Sequence, residues 1–162
     1  MTSARSKSRP RVSVLGSGRV GAAIAADLAR NEEFTVTIYD NSGDSLDAAV
    51  SRAPGVAAVQ SDLLREGAVS DAVRDCDIAV GAVPGFMGFR TLAAVLEAGK
   101  DVVDISFFEQ DPMQLQELAK RGSCRCLVDF GIAPGCTNLF FGRCRKLLSR
   151  IRVFECYVGG LP

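Results

Sequence analysis

The residues with the clearest chemical meaning stand near the amino end, where Gly16-Ser17-Gly18-Arg19-Val20-Gly21 spells G-x-G-x-x-G. The pattern alone is weak, but its context is the confirming one. A short apolar run, residues 12–15, leads into it, and residues 20–30 place Val20, Ile24 and Leu28 on one face of a helix. Each glycine then has a task. Gly16 allows the tight turn, Gly18 lets a pyrophosphate approach the backbone, and Gly21 lets the helix sit close to the sheet. Free N–H groups at the helix start would face the phosphates. Within the turn, Ser17 and Val20 fall against the same cradle. Arg19 is a candidate to screen the pyrophosphate or to bridge to a second domain, or it is simply an exposed arginine.

Asp40 closes the next strand pattern, 19 residues beyond Gly21. A carboxylate there accepts hydrogen bonds from the adenosine ribose hydroxyls. No arginine adjoins it, and a 2′-phosphate would meet negative charge, which favours NAD over NADP. The plainer alternative is a solvated turn aspartate. Asp62, just past the third strand, is a candidate for the adenine end or an ordinary turn residue.

In an open α/β sheet the ligand lies over the carboxyl ends of the strands. Three such ends carry Ala82-Val83-Pro84-Gly85-Phe86-Met87, Asp104-Ile105-Ser106-Phe107-Phe108 and Asp129-Phe130-Gly131-Ile132-Ala133-Pro134-Gly135. Ala82, Val83 and Pro84 extend the cofactor rim. Phe86, Met87, Phe107 and Phe108 are candidates to wall a nicotinamide, or core packing under a loop. Asp104 and Ser106 are the candidate catalytic pair on the substrate side. Asp104 could meet a substrate ammonium or hold loop N–H groups. Asn138 could bond the carboxamide or substrate, or cap local backbone. Cys136 lies near a helix start, where a thiol pKa can fall, and is otherwise an inert core thiol.

The sequence contains no histidine. This excludes a Ser-His-Asp triad, a Cys-His dyad and a His-containing zinc site, and no metal is expected. A base must be a carboxylate, lysine, tyrosine or cysteine. A short-chain reductase needs Tyr-x-x-x-Lys, and neither Tyr39 nor Tyr157 has a lysine four residues on.

Nineteen basic and 19 acidic residues cancel, so no general pull toward nucleic acid or a membrane surface is expected. No apolar run approaches the roughly 18 residues of a membrane span. The chain of 162 residues is 48% hydrophobic, and the six cysteines show no C-x-x-C spacing. That composition suits a globular chain with reduced thiols in the cytoplasm rather than a disulfide scaffold. Residues 1–11 read as a disordered basic tail.

The elements that must position these residues alternate regularly. Strand patterns fall at residues 12–15, 34–39, 56–59, 77–83, 101–105 and 126–130, with a last one at 151–158. Helical patterns fall at 20–30, 45–52, 64–73, 91–98, 112–120 and 134–148, with Gly99 after the fourth as a C′ residue. Strands spaced by helices mean βαβ units and a parallel sheet. The expected fold is α/β, a Rossmann doubly wound sheet of order 3-2-1-4-5-6 over residues 12–150. Residues 151–162 are expected to begin a second domain.

The blocks VLGSGRVGAAIAADLA, AVPGFMGFRTLAAVLEAGKDVVDIS, VDFGIAPGCTNLF and YVGGLP together resemble the saccharopine dehydrogenase family, nearest its lysine 6-dehydrogenase-like branch. The resemblance implies an NAD(P)-dependent enzyme that oxidises an amine carbon of a small amino-acid substrate by hydride transfer. It also implies a larger second domain that completes the site and forms a homodimer. Where saccharopine reductases carry an aspartate in the block like residues 131–135, this chain has Ala133, which leans toward the lysine-dehydrogenase-like branch. The chain stops at Pro162, so the cofactor domain alone is expected to turn over no amine. The alternative function is a non-catalytic NAD-binding regulatory or redox-sensing module.

Overall fold

A computed structural model describes residues 9–30 and 32–159. Most of the expected basic tail, residues 1–8, lies outside them, as do residues 160–162 of the terminal YVGGLP block.

Six strands form one parallel sheet in the order β3-β2-β1-β4-β5-β6, the order expected from the alternating patterns. They are β1 (Arg11–Leu15), β2 (Thr35–Asp40), β3 (Ala57–Gln60), β4 (Ile78–Gly81), β5 (Asp101–Asp104) and β6 (Cys126–Leu127). The helices are α1 (Arg19–Arg30), α2 (Gly43–Arg52), α3 (Ala68–Val73), α4 (Gly85–Glu97), α5 (Gln116–Gly122) and α6 (Cys136–Leu147). A 3₁₀ turn, Pro112–Leu115, precedes α5.

β1 is central, so both its faces are covered. Val12 and Val14 pack with Val36, Ile38 and Val80 beneath Ala25 of α1 and Leu46 and Ala49 of α2. Leu15 packs on the opposite face with Ala79 and Val102 beneath Val69 and Val73 of α3 and Leu92, Val95 and Leu96 of α4. Each large aliphatic side chain so enclosed contributes ~1.5–3 kcal/mol. Ser13 is the polar exception on this strand, and its hydroxyl donates to the Ala72 carbonyl at 2.8 Å. The order reverses between β1 and β4, and that crevice is where an open sheet of this kind holds its ligand.

Several boundaries differ from the sequence patterns. Residues 64–67 are turn rather than helix, because Asp62 Oδ1 caps the Leu64 amide and Gly67 adopts φ 76°. The helix expected from residue 91 begins six residues earlier, at Gly85, with Pro84 at its N-cap. β6 ends after two residues rather than five. Residues beyond it turn away, with Asp129 at φ 55° and the Phe130 amide donating to the Asp104 carbonyl. The strand expected at 151–158 is absent. Among the described residues that segment has no neighbouring strand to pair with, and a strand forms only against one. No residue of α6 is buried, and its Leu139, Phe140 and Leu147 stand open, as do Phe154 and Tyr157 after it.

Candidate functional site

The site is built at the carboxyl ends of β1, β2 and β4. Gly16 leaves β1 at φ 104° and donates its N–H to the Tyr39 carbonyl at 2.8 Å. A Cβ there would stand 2.5 Å from the Ala82 carbonyl oxygen, so both the left-handed backbone and the close approach require glycine. Gly21, in the first turn of α1, lies so near the Gly16 carbonyl that a Cβ would overlap it. These two contacts pull the start of α1 down onto the sheet.

Gly18 is different. A Cβ on it meets nothing within 4 Å, so the protein itself leaves that space open. The first-turn amides of α1 border it without intrahelical acceptors. Beside it, the Ser17 hydroxyl is buried and has no hydrogen-bond partner. A buried polar group without a partner costs free energy of about 1–3 kcal/mol. An open space bordered by free amides and an unpartnered hydroxyl fits an anionic ligand, and a pyrophosphate matches all three features. Arg19 and Val20 are exposed at the same turn.

Asp40 ends β2 and braces the turn. Its Oδ2 accepts the Ser17 amide at 2.6 Å and its Oδ1 accepts the Ser42 amide at 2.9 Å. Each carboxylate oxygen keeps a lone pair for a further donor. A cleft of about 190 Å³ gathers Gly16, Asp40, Asp62, Val83, Pro84 and Phe86, drawn from four separate stretches of sequence. Ala82 flanks it at the end of β4, where its amide donates to the Leu15 carbonyl. The cleft has further walls that the motifs did not point to, among them Asn41 and Ser61. Their positions directly after β2 and β3 were the available signal.

On the other side of the switch point, Phe86 and Phe107 are 81% and 76% exposed, at the start of α4 and after β5. Asp104 is wholly buried, and its neighbour Ser106 is nearly so. The expectation that Asp104 meets a substrate ammonium needs correction, because the carboxyl has no exposed surface. It turns inward, where its Oδ1 accepts the Ser106 amide at 2.8 Å. This is the loop-holding alternative. Burial pushes the Asp104 carboxyl up to about 7; bonds from Ser106 oppose the rise and the nearby Asp129 charge adds to it. Asn138 is exposed on α6 and does not line the cleft. Cys136 begins α6 and is also exposed, so it is not a core thiol.

All six cysteines are free. Among the described residues no cluster of metal-binding side chains occurs, and no helix is long and apolar enough to cross a membrane.

Comparison with known proteins gives a consistent result. Residues 12–127 match the family model described as "Saccharopine dehydrogenase NADP binding domain". The chain is 26% identical over 157 residues to the saccharopine dehydrogenase (NADP(+), L-glutamate-forming) of Schizosaccharomyces pombe, covering 94% of this chain and 35% of that protein. The chain thus spans about a third of its curated relative. Apo saccharopine dehydrogenase (L-Glu forming) from Saccharomyces cerevisiae superposes with a TM-score of 0.75 at 21% identity, over 85% of this chain and 31% of that one. Apo scyllo-inositol dehydrogenase from Lactobacillus casei gives 0.63 at 17% identity, over 85% of this chain and 41% of that one. These two structures show the shared fold.

Proposed function

The chain belongs to the saccharopine dehydrogenase NADP-binding-domain family, and from that premise we propose that it holds the nicotinamide dinucleotide of an oxidoreductase acting on a CH–NH or CH–NH2 group of an amino acid. The observation that carries the reading is the unpartnered Ser17 hydroxyl next in sequence to the open space at Gly18, in a turn tied to Asp40 through the Ser17 amide.

In this reading the amides of residues 18–21 and the Ser17 hydroxyl hold the pyrophosphate, with Arg19 screening it from outside. Asp40 holds the adenosine ribose, and Asp62 borders the adenine. Ala82, Val83 and Pro84 carry the cofactor across the switch point to a nicotinamide flanked by Phe86 and Phe107. Asn138 on α6 is assigned to the substrate side. The bound nicotinamide supplies hydride acceptance, and the protein's part is to orient it and shield it from water.

The cofactor choice rests on the end of β2. Asp40 and Asp44 lie there, and no lysine or arginine occurs between residues 31 and 51. A 2′-phosphate would find negative charge and no cation, which supports NAD. The family's description and the fission-yeast relative's name carry NADP, which supports the opposite choice. Calorimetric titration with NADH and NADPH decides between them: tighter NADH binding is expected, and tighter NADPH binding would reverse the assignment.

Ala133 supports a lysine 6-dehydrogenase-like substrate over saccharopine, and six free thiols support a cytoplasmic location. The exposed apolar side chains of α6 and residues 151–158 support a further domain or a homodimer partner over them. The open rim also supports a second reading, an NAD-binding regulatory module without turnover. The test is NAD reduction by this chain with lysine or saccharopine. Binding without turnover is expected, because Phe86 and Phe107 leave the nicotinamide side unsheltered. Turnover at enzymatic rates would show that these residues suffice and would remove the regulatory alternative.

A further inference from the structure

Among the described residues, Asp104 is the one charged-type side chain that is wholly buried, and no ion pair includes it. It ends β5 opposite Gly81 of β4 and occupies the volume a Cβ on Gly81 would need. One oxygen accepts the Ser106 amide at 2.8 Å, and the other stands 3.4 Å from the Ser106 hydroxyl. Ser106 in turn lies against α4. A Cβ on Gly88 would stand 2.8 Å from Ser106 Cβ and 2.6 Å from Phe108 Cδ1, and a Cβ on Gly85 would overlap the Phe107 carbonyl. The segment 106–108 is therefore pressed onto the first turn of α4. The two exposed aromatics, Phe86 and Phe107, belong to the two pieces so joined.

We infer that Asp104 is a positioning residue whose carboxyl, by gripping Ser106, locks residues 105–108 against α4 and so sets Phe86 and Phe107 as the wall for the nicotinamide half of the bound dinucleotide. The inference rests on the dinucleotide reading above. The grip depends on the proton. The neutral acid accepts from the Ser106 N–H and can donate its own O–H to the Ser106 hydroxyl. The ionised form is the stronger acceptor for both Ser106 donors, the amide and the hydroxyl. The titratable groups facing it are Cys126 and Asp129, both from the β6 side. The adjoining parts of β4 (residues 78–81), the first turn of α4 (85–88) and segment 105–108 contain none. Ionisation therefore tightens the hold on Ser106, and only the nicotinamide half of the ligand feels the change.

The test compares NADH with ADP-ribose, which has the same phosphates and riboses through the pyrophosphate but no nicotinamide. Dissociation constants are measured by calorimetry between about pH 6 and pH 8.5, a window around the neutral range where a raised carboxyl titrates. NADH binding should tighten about threefold to tenfold as pH rises, while ADP-ribose binding stays level. Asp104→Asn should flatten the NADH profile. Ser106→Ala, which keeps the buried carboxyl, should weaken NADH and leave ADP-ribose unchanged, so the inference stays testable if the Asp104 variant does not fold. Parallel pH profiles for the two ligands, an unaltered profile in Asp104→Asn, or unchanged NADH affinity in Ser106→Ala would overturn it. Failure of either ligand to bind the wild-type chain would overturn the dinucleotide reading and this inference together.

Discussion

The Asp40 carboxylate accepts the Ser17 amide at 2.6 Å, tying the end of β2 to the glycine turn that follows β1. The residue proposed to hold the ribose is therefore also a strut of the phosphate cradle. Asp40→Ala should lose both roles. Loss of a hydrogen bond to a charged group costs ~1.5–3 kcal/mol, so NADH affinity should fall about tenfold to a hundredfold. The proposed preference for NADH over NADPH should narrow as well. Calorimetry with both cofactors measures it, and an unchanged preference would take the ribose-reading role from Asp40.

Gly21→Ala should destabilise the fold itself. Its methyl would overlap the Gly16 carbonyl, which the close seat of α1 fixes in place. Overpacking of this kind costs about 1–3 kcal/mol. Urea denaturation of the ligand-free protein reads the loss, and full stability would mean that α1 can shift without penalty.

Asp104 makes stability depend on pH in a defined direction. Its carboxyl is pushed up by burial to about 7 in the folded chain, well above the ordinary carboxylate range. As pH rises from about 4, the unfolded chain ionises while the folded chain keeps its proton, so stability falls until about pH 7 and then levels. The decline attributable to Asp104 is at most on the order of 4 kcal/mol. With no histidine in the sequence, few other groups titrate between about pH 5 and pH 8. The wild type should therefore lose stability relative to Asp104→Asn across that window. Denaturation curves at several pH values that run parallel for the two proteins would contradict the raised carboxyl.

Thiol reactivity should follow burial. Cys76 is buried, and that burial raises its pKa, whereas Cys136 and Cys156 are exposed. Timed alkylation read by mass spectrometry should label the two exposed thiols first and Cys76 last. Early labelling of Cys76 in the native protein would contradict its place in the core.

The strand order was legible because helical and strand periods alternate cleanly from Val12 to Val102, and parallel crossovers leave few topologies. The glycine turn was legible because its spacing encodes backbone approach rather than side-chain contact. The start of α4 was not. Gly85 and Gly88 look like helix breakers in sequence, yet they are glycine because segment 106–108 presses against them. That cause is a tertiary contact between distant residues. Asp104 was picked out for its position at a strand end, but the direction of its side chain depends on Gly81, one strand away. The apolar residues at 151–158 have strand-like composition, but pairing is a property of two segments, and the described residues supply no second one.

The most direct test of the account is NADH binding by the wild-type chain and by Gly18→Val. A Cβ at Gly18 meets nothing within 4 Å, so the fold should tolerate the substitution, while the proposed pyrophosphate would not. Saturable NADH binding by the wild type is expected, with a Gly18→Val protein of near wild-type stability whose affinity is lower by at least about a hundredfold. Equal NADH affinity in the two proteins would place the cofactor elsewhere and contradict the account.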